Sequence, residues 1–328
     1  MQKSENKVGL KTTPIGKQYV GFCVTRKKEI RYKSTGEPYL ALDLGDWSGR
    51  LSAKIWSEAQ KFDRLFKVGD VVKVKAMIQT YQNRRELQIL KIRKAVEEDH
   101  VPPEQLLPSS KKDVPGLRQK FREHLNGLTN EHLKKLMARI FEDEKFTEQY
   151  LQTPAGKLWH HNYLYGMLEH IVAMLDTCDV LKLHYPRLDV DLLKCGVVLH
   201  DVGKMREYGI RGFIDFTDEG RLIGHIALGY EFVYKKIDEI ENFPAELRNQ
   251  LLHLILSHQG EKEKGSPVVP MTLEAIVLYF LDELDSKANA FTRIIESDRQ
   301  AESNWSKYVN LMDRFVYIGS EPDEEATN

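Results

Sequence analysis

The stretch Val197-Val198-Leu199-His200-Asp201-Val202-Gly203-Lys204 constrains this chain most: an apolar run ends in an adjacent imidazole and carboxylate, then a glycine and a lysine. Leu192, Leu193 and Cys195 to Leu199 read as a helix buried nearly all round, with Asp189 as its N-cap. A lone carboxylate carried into apolar surroundings either bears a large desolvation cost or takes a proton. Positive charge is therefore needed beside Asp201. A lysine or arginine would supply it, and so would a metal ion taking the imidazole nitrogen and a carboxylate oxygen together.

Further polar residues break apolar helical runs downstream and upstream. His170 lies within Gly166-Met-Leu-Glu-His-Ile-Val-Ala-Met-Leu, His225 opens a helix at Gly224-His-Ile-Ala-Leu, His258 closes one at Leu256-Ser-His-Gln-Gly, and Asp282 interrupts Val277-Leu-Tyr-Phe-Leu-Asp-Glu-Leu. Any one of them alone reads as a satisfied core residue. Recurring on successive helices of one bundle, they are expected to converge, because each would otherwise need its own buried partner.

The N-terminal part has a different period. Between residues 16 and 95, five short β-rich runs alternate apolar and polar residues, at 19–24, 38–44, 49–56, 70–76 and 86–92, with a longer connection through Glu58 to Lys67. Turn signals at Ser34-Thr-Gly, Asp46-Trp-Ser-Gly, Val68-Gly-Asp and Gln82-Asn-Arg-Arg separate them. This plan suits a small all-β OB-fold barrel. Residues 1–95 hold 21 Lys plus Arg against 9 Asp plus Glu, a net +12, while the remainder holds 27 against 40, a net −13. A basic barrel points to a polyanion, and base-stacking aromatics point to single-stranded RNA or DNA. Tyr32, Trp47 and Tyr81 sit in turns and are expected to be exposed; Phe22 and Trp56 are assigned to the barrel core. With Lys33, Arg84 and Arg85, the turn aromatics form the expected nucleic-acid-binding set.

Residues 96–116, with Pro102, Pro103, Pro108 and Pro115, read as a linker. Residues 117–318 read as an all-α body and 319–328 as a disordered acidic tail. The opening Met1-Gln-Lys-Ser-Glu-Asn-Lys has no apolar core of a secretory signal, and no run reaches the roughly 18 apolar residues of a membrane span. Cys23, Cys178 and Cys195 are odd in number, far apart and in apolar settings, which suits reduced thiols in a cytoplasm.

The order and spacing of His170, His200-Asp201 and Asp282 resemble the H…HD…D signature of the HD-domain metal-dependent phosphohydrolases, over about residues 150–295. The architecture is more specific. A basic OB domain, a Pro-bearing linker, His160-His161-Asn-Tyr-Leu-Tyr-Gly-Met-Leu-Glu-His170 and Leu281-Asp-Glu-Leu-Asp-Ser-Lys287 together look like the YhaM-type 3′-to-5′ exoribonucleases. One departure is Tyr165-Gly166, where such proteins tend to carry two glycines.

The resemblance implies a first metal held by His170, His200, Asp201 and Asp282, and a second held by His225 and His258 with Asp201 bridging. It favours Mn²⁺, while Fe, Co, Ni and Zn also suit imidazole and carboxylate donors. Two such ions roughly 3.5 to 4 Å apart can bind both oxygens of a phosphodiester displacement. Lys204 is expected to meet a phosphate oxygen, and His161, with His160 as the weaker choice, to orient the phosphate or protonate the leaving oxygen. Asp285, one turn beyond Asp282, is expected to support a ligand or to pair with Lys287. Arg206 and Arg211 are expected to guide the strand.

The function expected is metal-dependent hydrolysis of single-stranded RNA, or DNA, from the 3′ end to nucleoside monophosphates. One rival is an HD phosphohydrolase of nucleotides or cyclic dinucleotides. The other is a non-catalytic single-stranded nucleic-acid-binding protein with a structural metal, although six ligands exceed what a closed four-coordinate site uses. A homo-oligomer is compatible with so large a helical body.

Overall fold

The computed structural model describes residues 8–157, 159–210, 212–297 and 303–319. The expected tail therefore falls, from Ser320 on, outside the described residues, as do Met1–Lys7 and Arg211. Two units divide the chain. One comprises the chain to Ser109 together with Tyr208–Asp215; the other comprises Ser110–Glu207 and the chain from Phe216 on.

In the first unit, β1 (Gln18–Tyr32), β2 (Pro38–Asp46), β3 (Gly49–Ile55), β4 (Val71–Tyr81) and β5 (Arg84–Lys94) close a barrel in the order β1-β2-β3-β5-β4. All neighbours are antiparallel except β3 and β5, which pair in parallel with Ala53 opposite Leu87. A helix, α1 (Ala59–Leu65), fills the long connection between β3 and β4. The barrel is the OB fold expected from the sequence. Alternation dictates its interior: Leu51, Ala53 and Ile55 of β3 point inward, as do Leu40, Leu42 and Leu44 of β2 and Val72, Val74, Ala76 and Ile78 of β4. Tyr19 and Cys23 complete this core.

The stretch read as a linker is not uniform. Short 3₁₀ turns at Glu97–Asp99 and Pro103–Gln105 and the buried Leu106 and Leu107 belong to the barrel unit, which ends at Ser109. The hairpin β6 (Tyr208–Ile210) and β7 (Ile214–Phe216), unforeseen from the sequence, supplies that unit's second segment. There the Arg26 guanidinium donates to the Gly212 carbonyl at 3.2 Å and lies 5.0 Å over the Phe213 ring.

The second unit is helical: α2 (Val114–Asn126), α3 (Glu131–Phe141), α4 (Glu144–Gln152), α5 (Gly166–His184), α6 (Val190–Leu199), α7 (Lys204–Glu207), α8 (Asp218–Ile223), α9 (His225–Asp238), α10 (Ala245–Ser257) and α11 (Leu273–Ser297). Asp189 caps α6 by accepting from Leu192 N at 3.0 Å. Its residues Leu192–Leu199 are all buried, packed against α5, α10 and α11. Asp143 caps α4, its side chain accepting from Lys145 N and Phe146 N and so starting a new helix with two residues between it and α3. No helix among the described residues is long and apolar enough to cross a membrane, and Cys23, Cys178 and Cys195 are buried free thiols.

Candidate metal centre

Five helix ends and faces deliver the polar residues to one place. His170 comes from the middle of α5, His200 and Asp201 leave the end of α6, His225 opens α9, His258 caps α10, and Asp282 and Asp285 lie one turn apart on the inner face of α11. Gly203 makes the approach of α7 to α9 possible, since a Cβ there would lie 2.0 Å from the His225 carbonyl oxygen. His170, His200, Asp201 and His258 are buried.

Two triads emerge, each with donor atoms within 4.8 Å of one another: His170, His200 and Asp201, and Asp201, His225 and His258. Asp201 belongs to both. A further group of the same kind joins His160, His170 and Asp282.

The hydrogen bonds around these rings define which nitrogen faces the centre. Nδ1 of His200 lies 2.8 Å from the Val197 carbonyl, Nδ1 of His258 lies 2.8 Å from the Ile255 carbonyl, and Nδ1 of His170 lies 2.7 Å from Asp285 Oδ2. Nδ1 of His225 faces Glu207 Oε1 at 3.1 Å. Each of these partners is an acceptor, so each Nδ1 donates and each Nε2 turns inward. The four Nε2 atoms and Asp201 Oδ1 are buried without a hydrogen-bond partner among the described residues. They crowd together: His225 and His258 Nε2 stand 3.5 and 3.6 Å from Asp201 Oδ1, and His170 Nε2 stands 3.4 Å from Asp282 Oδ1.

Buried lone pairs facing one another are costly unless a cation lies between them. Imidazole nitrogens with carboxylate oxygens are the donor set of divalent transition metals, so the residues fit such an ion. Protonation behaviour agrees. Burial would lower His170, but Asp282 and Asp285 raise it to about 10, so the two carboxylates favour positive charge at this ring. Burial pushes His258 down to about 3, leaving a neutral ligand-ready ring. Burial would raise Asp201, yet Lys204 and His200 hold it well below the usual carboxylate range.

Other expected residues take different places. Lys204 Nζ donates to Asp201 Oδ2 at 2.5 Å and to the Ala155 carbonyl at 2.6 Å, so it neutralises the carboxylate that joins the triads. His161 has both ring nitrogens engaged, Nδ1 with Tyr163 Oη at 3.0 Å and Nε2 with Asp285 Oδ2 at 2.8 Å. It therefore holds Asp285, which in turn orients His170. His160 is the ring with both nitrogens buried and without a hydrogen-bond partner. Burial and the Lys204 ammonium lower it to about 3, so it is a neutral imidazole at the edge of the cluster. Lys287 pairs with Glu283 rather than Asp285, and Arg206 is held by Glu219 and Glu231.

Two supporting residues deserve the weight that sequence reasoning denied or underrated. Glu207 was not foreseen; its Oε1 accepts from both the backbone N and ring Nδ1 of His225, each at 3.1 Å. Asp285 bridges His161 and His170. Replacing Asp285 with Asn is expected to weaken Mn²⁺ binding by about 10- to 100-fold, as for other residues that orient a ligand. Titration calorimetry on metal-stripped protein measures it, and an unchanged affinity would refute the orienting role.

Tyr165, the departure from the glycine pair of the resembling exoribonucleases, adopts φ 63°, ψ 15° just before α5. That left-handed conformation costs a side-chain-bearing residue about 1 kcal/mol, which accounts for a glycine preference there. Here Arg118 lies 5.4 Å over the Tyr165 ring as partial compensation.

On the barrel, Tyr32 and Tyr81 are 70% and 50% exposed, as expected, and Arg84 is exposed. Phe22, assigned to the core, is half-buried outside it with Lys73 5.1 Å from its ring centre, and Trp56, also assigned to the core, is 52% exposed. It shares the parity of Ser52 and Lys54, opposite to the inward Ile55, and stacks on Tyr39 with centroids 4.8 Å apart. Lys33 and Lys54 each lie 5.6 Å from its ring centre, and Lys54 lies 4.3 Å from that of Tyr81. Trp47, by contrast, is half-buried, its ring against Gly9, and Arg85 is turned to the Thr13 carbonyl. The outward aromatic group is therefore Tyr32, Tyr39, Trp56 and Tyr81.

Comparison with known proteins follows the same two-part division. The HD domain family matches residues 167–287, and the family described as OB-fold nucleic acid binding domain matches residues 24–95. The 3′-5′ exoribonuclease YhaM of Bacillus licheniformis is 31% identical over 294 residues, covering 90% of this chain and 93% of the relative. This chain belongs to the YhaM exoribonuclease family. YhaM of Bacillus subtilis is 30% identical with the same coverage. The family is thus one of HD-type, metal-dependent hydrolases carrying an OB-fold domain for single-stranded nucleic acid. A solved replication protein A heterotrimer bound to single-stranded DNA aligns with 25% of this chain at 20% identity and a TM-score of 0.20.

Proposed function

We propose that this protein is a metal-dependent 3′-to-5′ exonuclease that holds single-stranded RNA on its barrel and hydrolyses the terminal phosphodiester to release nucleoside monophosphates. The observation that carries this reading is the pair of triads sharing Asp201, with inward Nε2 atoms that have no hydrogen-bond partner among the described residues. His170, His200, Asp201 and Asp282 would hold one divalent ion and Asp201, His225 and His258 a second, with Mn²⁺ favoured. Such ions supply positive charge for phosphate oxygens and a water acidic enough to react near neutral pH.

This chain's own residues do the rest. Lys204 keeps Asp201 ionised, and Glu207 and Asp285 fix the rings of His225 and His170. His160, rather than His161, donates a hydrogen bond to the scissile phosphate or its leaving oxygen, because its ring nitrogens have no hydrogen-bond partner among the described residues while both of His161's are engaged. Tyr32, Trp56 and Tyr81 stack on bases while Lys33, Lys54 and Arg84 follow the backbone. Buried free thiols suit a reducing cytoplasm.

The test is digestion of 5′-labelled single-stranded RNA, matched DNA, mononucleotides and a cyclic dinucleotide by metal-stripped protein resupplied with Mn²⁺. A ladder shortening from the 3′ end of RNA is expected. Cleavage of the small nucleotides alone would transfer the protein to the nucleotide-hydrolase reading, and binding without cleavage to the non-catalytic one. His160→Ala is expected to lower kcat about 100-fold with the metal content of the purified protein unchanged. Loss of bound metal in that variant would make His160 a ligand instead of a donor.

A further inference from the structure

His161 holds a left-handed backbone conformation, φ 42°, which is costly for a residue that bears a side chain. Contacts on both sides keep it there. Its N–H donates to Asn289 Oδ1 at 3.0 Å, and its carbonyl accepts from Ala155 N at 3.2 Å. The same carbonyl lies so close to the start of α5 that a Cβ on Gly166 would stand 2.0 Å from it. Both ring nitrogens are engaged as well, and the residue is buried. Strain that the surroundings over-determine in this way marks a residue whose orientation matters to the site beside it.

The direction of the hydrogen bonds around this ring follows from one fixed donor. A backbone N–H can only donate, so the Asn289 atom facing the His161 N–H is the amide oxygen, and the amide nitrogen is turned the other way. That nitrogen lies 3.4 Å from Tyr163 Oη and 3.4 Å from His161 Nδ1. Asn289 therefore donates to Tyr163, and Tyr163 donates to His161 Nδ1 at 3.0 Å. With Nδ1 accepting, His161 carries its own hydrogen on Nε2, 2.8 Å from Asp285 Oδ2. The same carboxylate oxygen takes a second hydrogen from His170 Nδ1 at 2.7 Å. Glu169 is a competing acceptor, its Oε1 3.8 Å from His161 Nδ1. However, Ser110 Oγ donates to Glu169 Oε2 at 2.7 Å and Lys112 Nζ pairs with Oε1 at 3.1 Å, so its charge is met from the other side.

We infer that Asn289 and Tyr163 are positioning residues for the reaction: they fix the tautomer and orientation of His161, and through it the hold of Asp285 on His170. Their role rests on the metal reading above, in which His170 is a ligand. The links from Asn289 through Tyr163 and His161 to Asp285 run in one sense, so each strengthens the next. His170 then donates through Nδ1 and keeps Nε2 turned to the centre. Asn289 stands one helical turn beyond Asp285 and two beyond Asp282, so one face of α11 carries a ligand, the carboxylate that orients another ligand, and the amide that orients that carboxylate's partner. The influence is confined to one triad, because His225 and His258 are oriented by Glu207 and the Ile255 carbonyl instead.

Tyr163→Phe with Asn289→Leu removes both donors while nearly keeping side-chain volume. Mn²⁺ titration calorimetry on the metal-stripped full chain is expected to show one site weakened about tenfold, the scale of the hydrogen bonds lost, and the other unchanged. RNA shortening by the variant should fall at limiting Mn²⁺ and return to within about twofold of wild type in excess Mn²⁺, because the groups that touch substrate are intact. Equal weakening of both sites, or activity that excess Mn²⁺ does not restore, would reduce the two residues to structural supports and overturn the proposal. A second measurement needs no folded variant. Long-range ¹H–¹⁵N spectra of metal-stripped wild type are expected to show His161 with its hydrogen on Nε2 and an unprotonated Nδ1; a hydrogen on Nδ1 instead overturns the proposal. Wild-type protein that takes up no Mn²⁺ would overturn the metal reading and this role with it, whereas ordinary wild-type uptake with an unaffected variant overturns this role alone.

Discussion

Replacing His200 with Gln and Asp201 with Asn together should reduce RNA shortening by at least about 10³-fold, the scale set by removing groups that stabilise developing charge. The expectation follows from the geometry of sharing. Asp201 stands in both triads, so its loss strips each of a ligand, whereas His258→Gln alone touches one. Metal analysis of the purified proteins should show the double variant nearly metal-free and His258→Gln retaining part of its complement. The substitution has a structural cost as well, because Lys204 is buried and donates to Asp201. Removing one partner of a buried ion pair destabilises by about 3 to 5 kcal/mol, so folding must be verified by circular dichroism beside the activity. A folded, metal-free double variant that still shortens RNA at the wild-type rate would end the metal-centre account.

Trp56→Ala combined with Lys54→Ala should weaken single-stranded RNA binding by about 10- to 100-fold, since one base-stacking ring is worth ~1–3 kcal/mol. The lost lysine should also make the salt dependence of binding shallower by about 0.7 in logarithmic slope. Hydrolysis of a small chromogenic phosphodiester should be unaffected, because none of the triad residues belongs to the barrel. Trp47→Ala is a contrasting control: its half-buried ring packs on Gly9, so it should lower stability more than affinity. Fluorescence anisotropy with a labelled oligonucleotide separates the two. Equal losses for Trp47→Ala and for the Trp56 and Lys54 variant would remove the distinction between a packing ring and a stacking ring.

The sequence carried the barrel and the cluster because each depends on a strong local rule. Alternation places Leu51, Ala53 and Ile55 inside, and the same alternation puts Trp56 outside; treating a tryptophan as core by bulk alone overrode the better signal. Turn position misled for Trp47, because a turn can fold back over its own unit, as this one does on Gly9. The histidines and aspartates were legible because charge within apolar helices demands partners. Which of His160 and His161 keeps its ring nitrogens unclaimed was not, since it depends on Asp285 and Tyr163 capturing one ring and not the other. Glu207 offered no signal, because its worth lies wholly in standing beside His225 after the chain has folded. The three-residue strands β6 and β7 were too short to show any period.

That hairpin has a consequence for how the protein is made and how it can be cut. The barrel unit is assembled from two pieces of chain separated by about a hundred residues of helical protein, so the polypeptide passes between units three times, after Ser109, Glu207 and Asp215. On the ribosome, the five strands can close long before Tyr208 emerges, and Arg26 must wait for Gly212 and Phe213 until most of the helices have been synthesised. A protease that nicks the chain near Ser109 would leave the two parts joined through the hairpin. Deleting the first 95 residues would strand the hairpin without the Arg26 it contacts. Truncation at residue 95 therefore divides the barrel unit and leaves part of it in the remaining chain, whereas a point substitution leaves it whole.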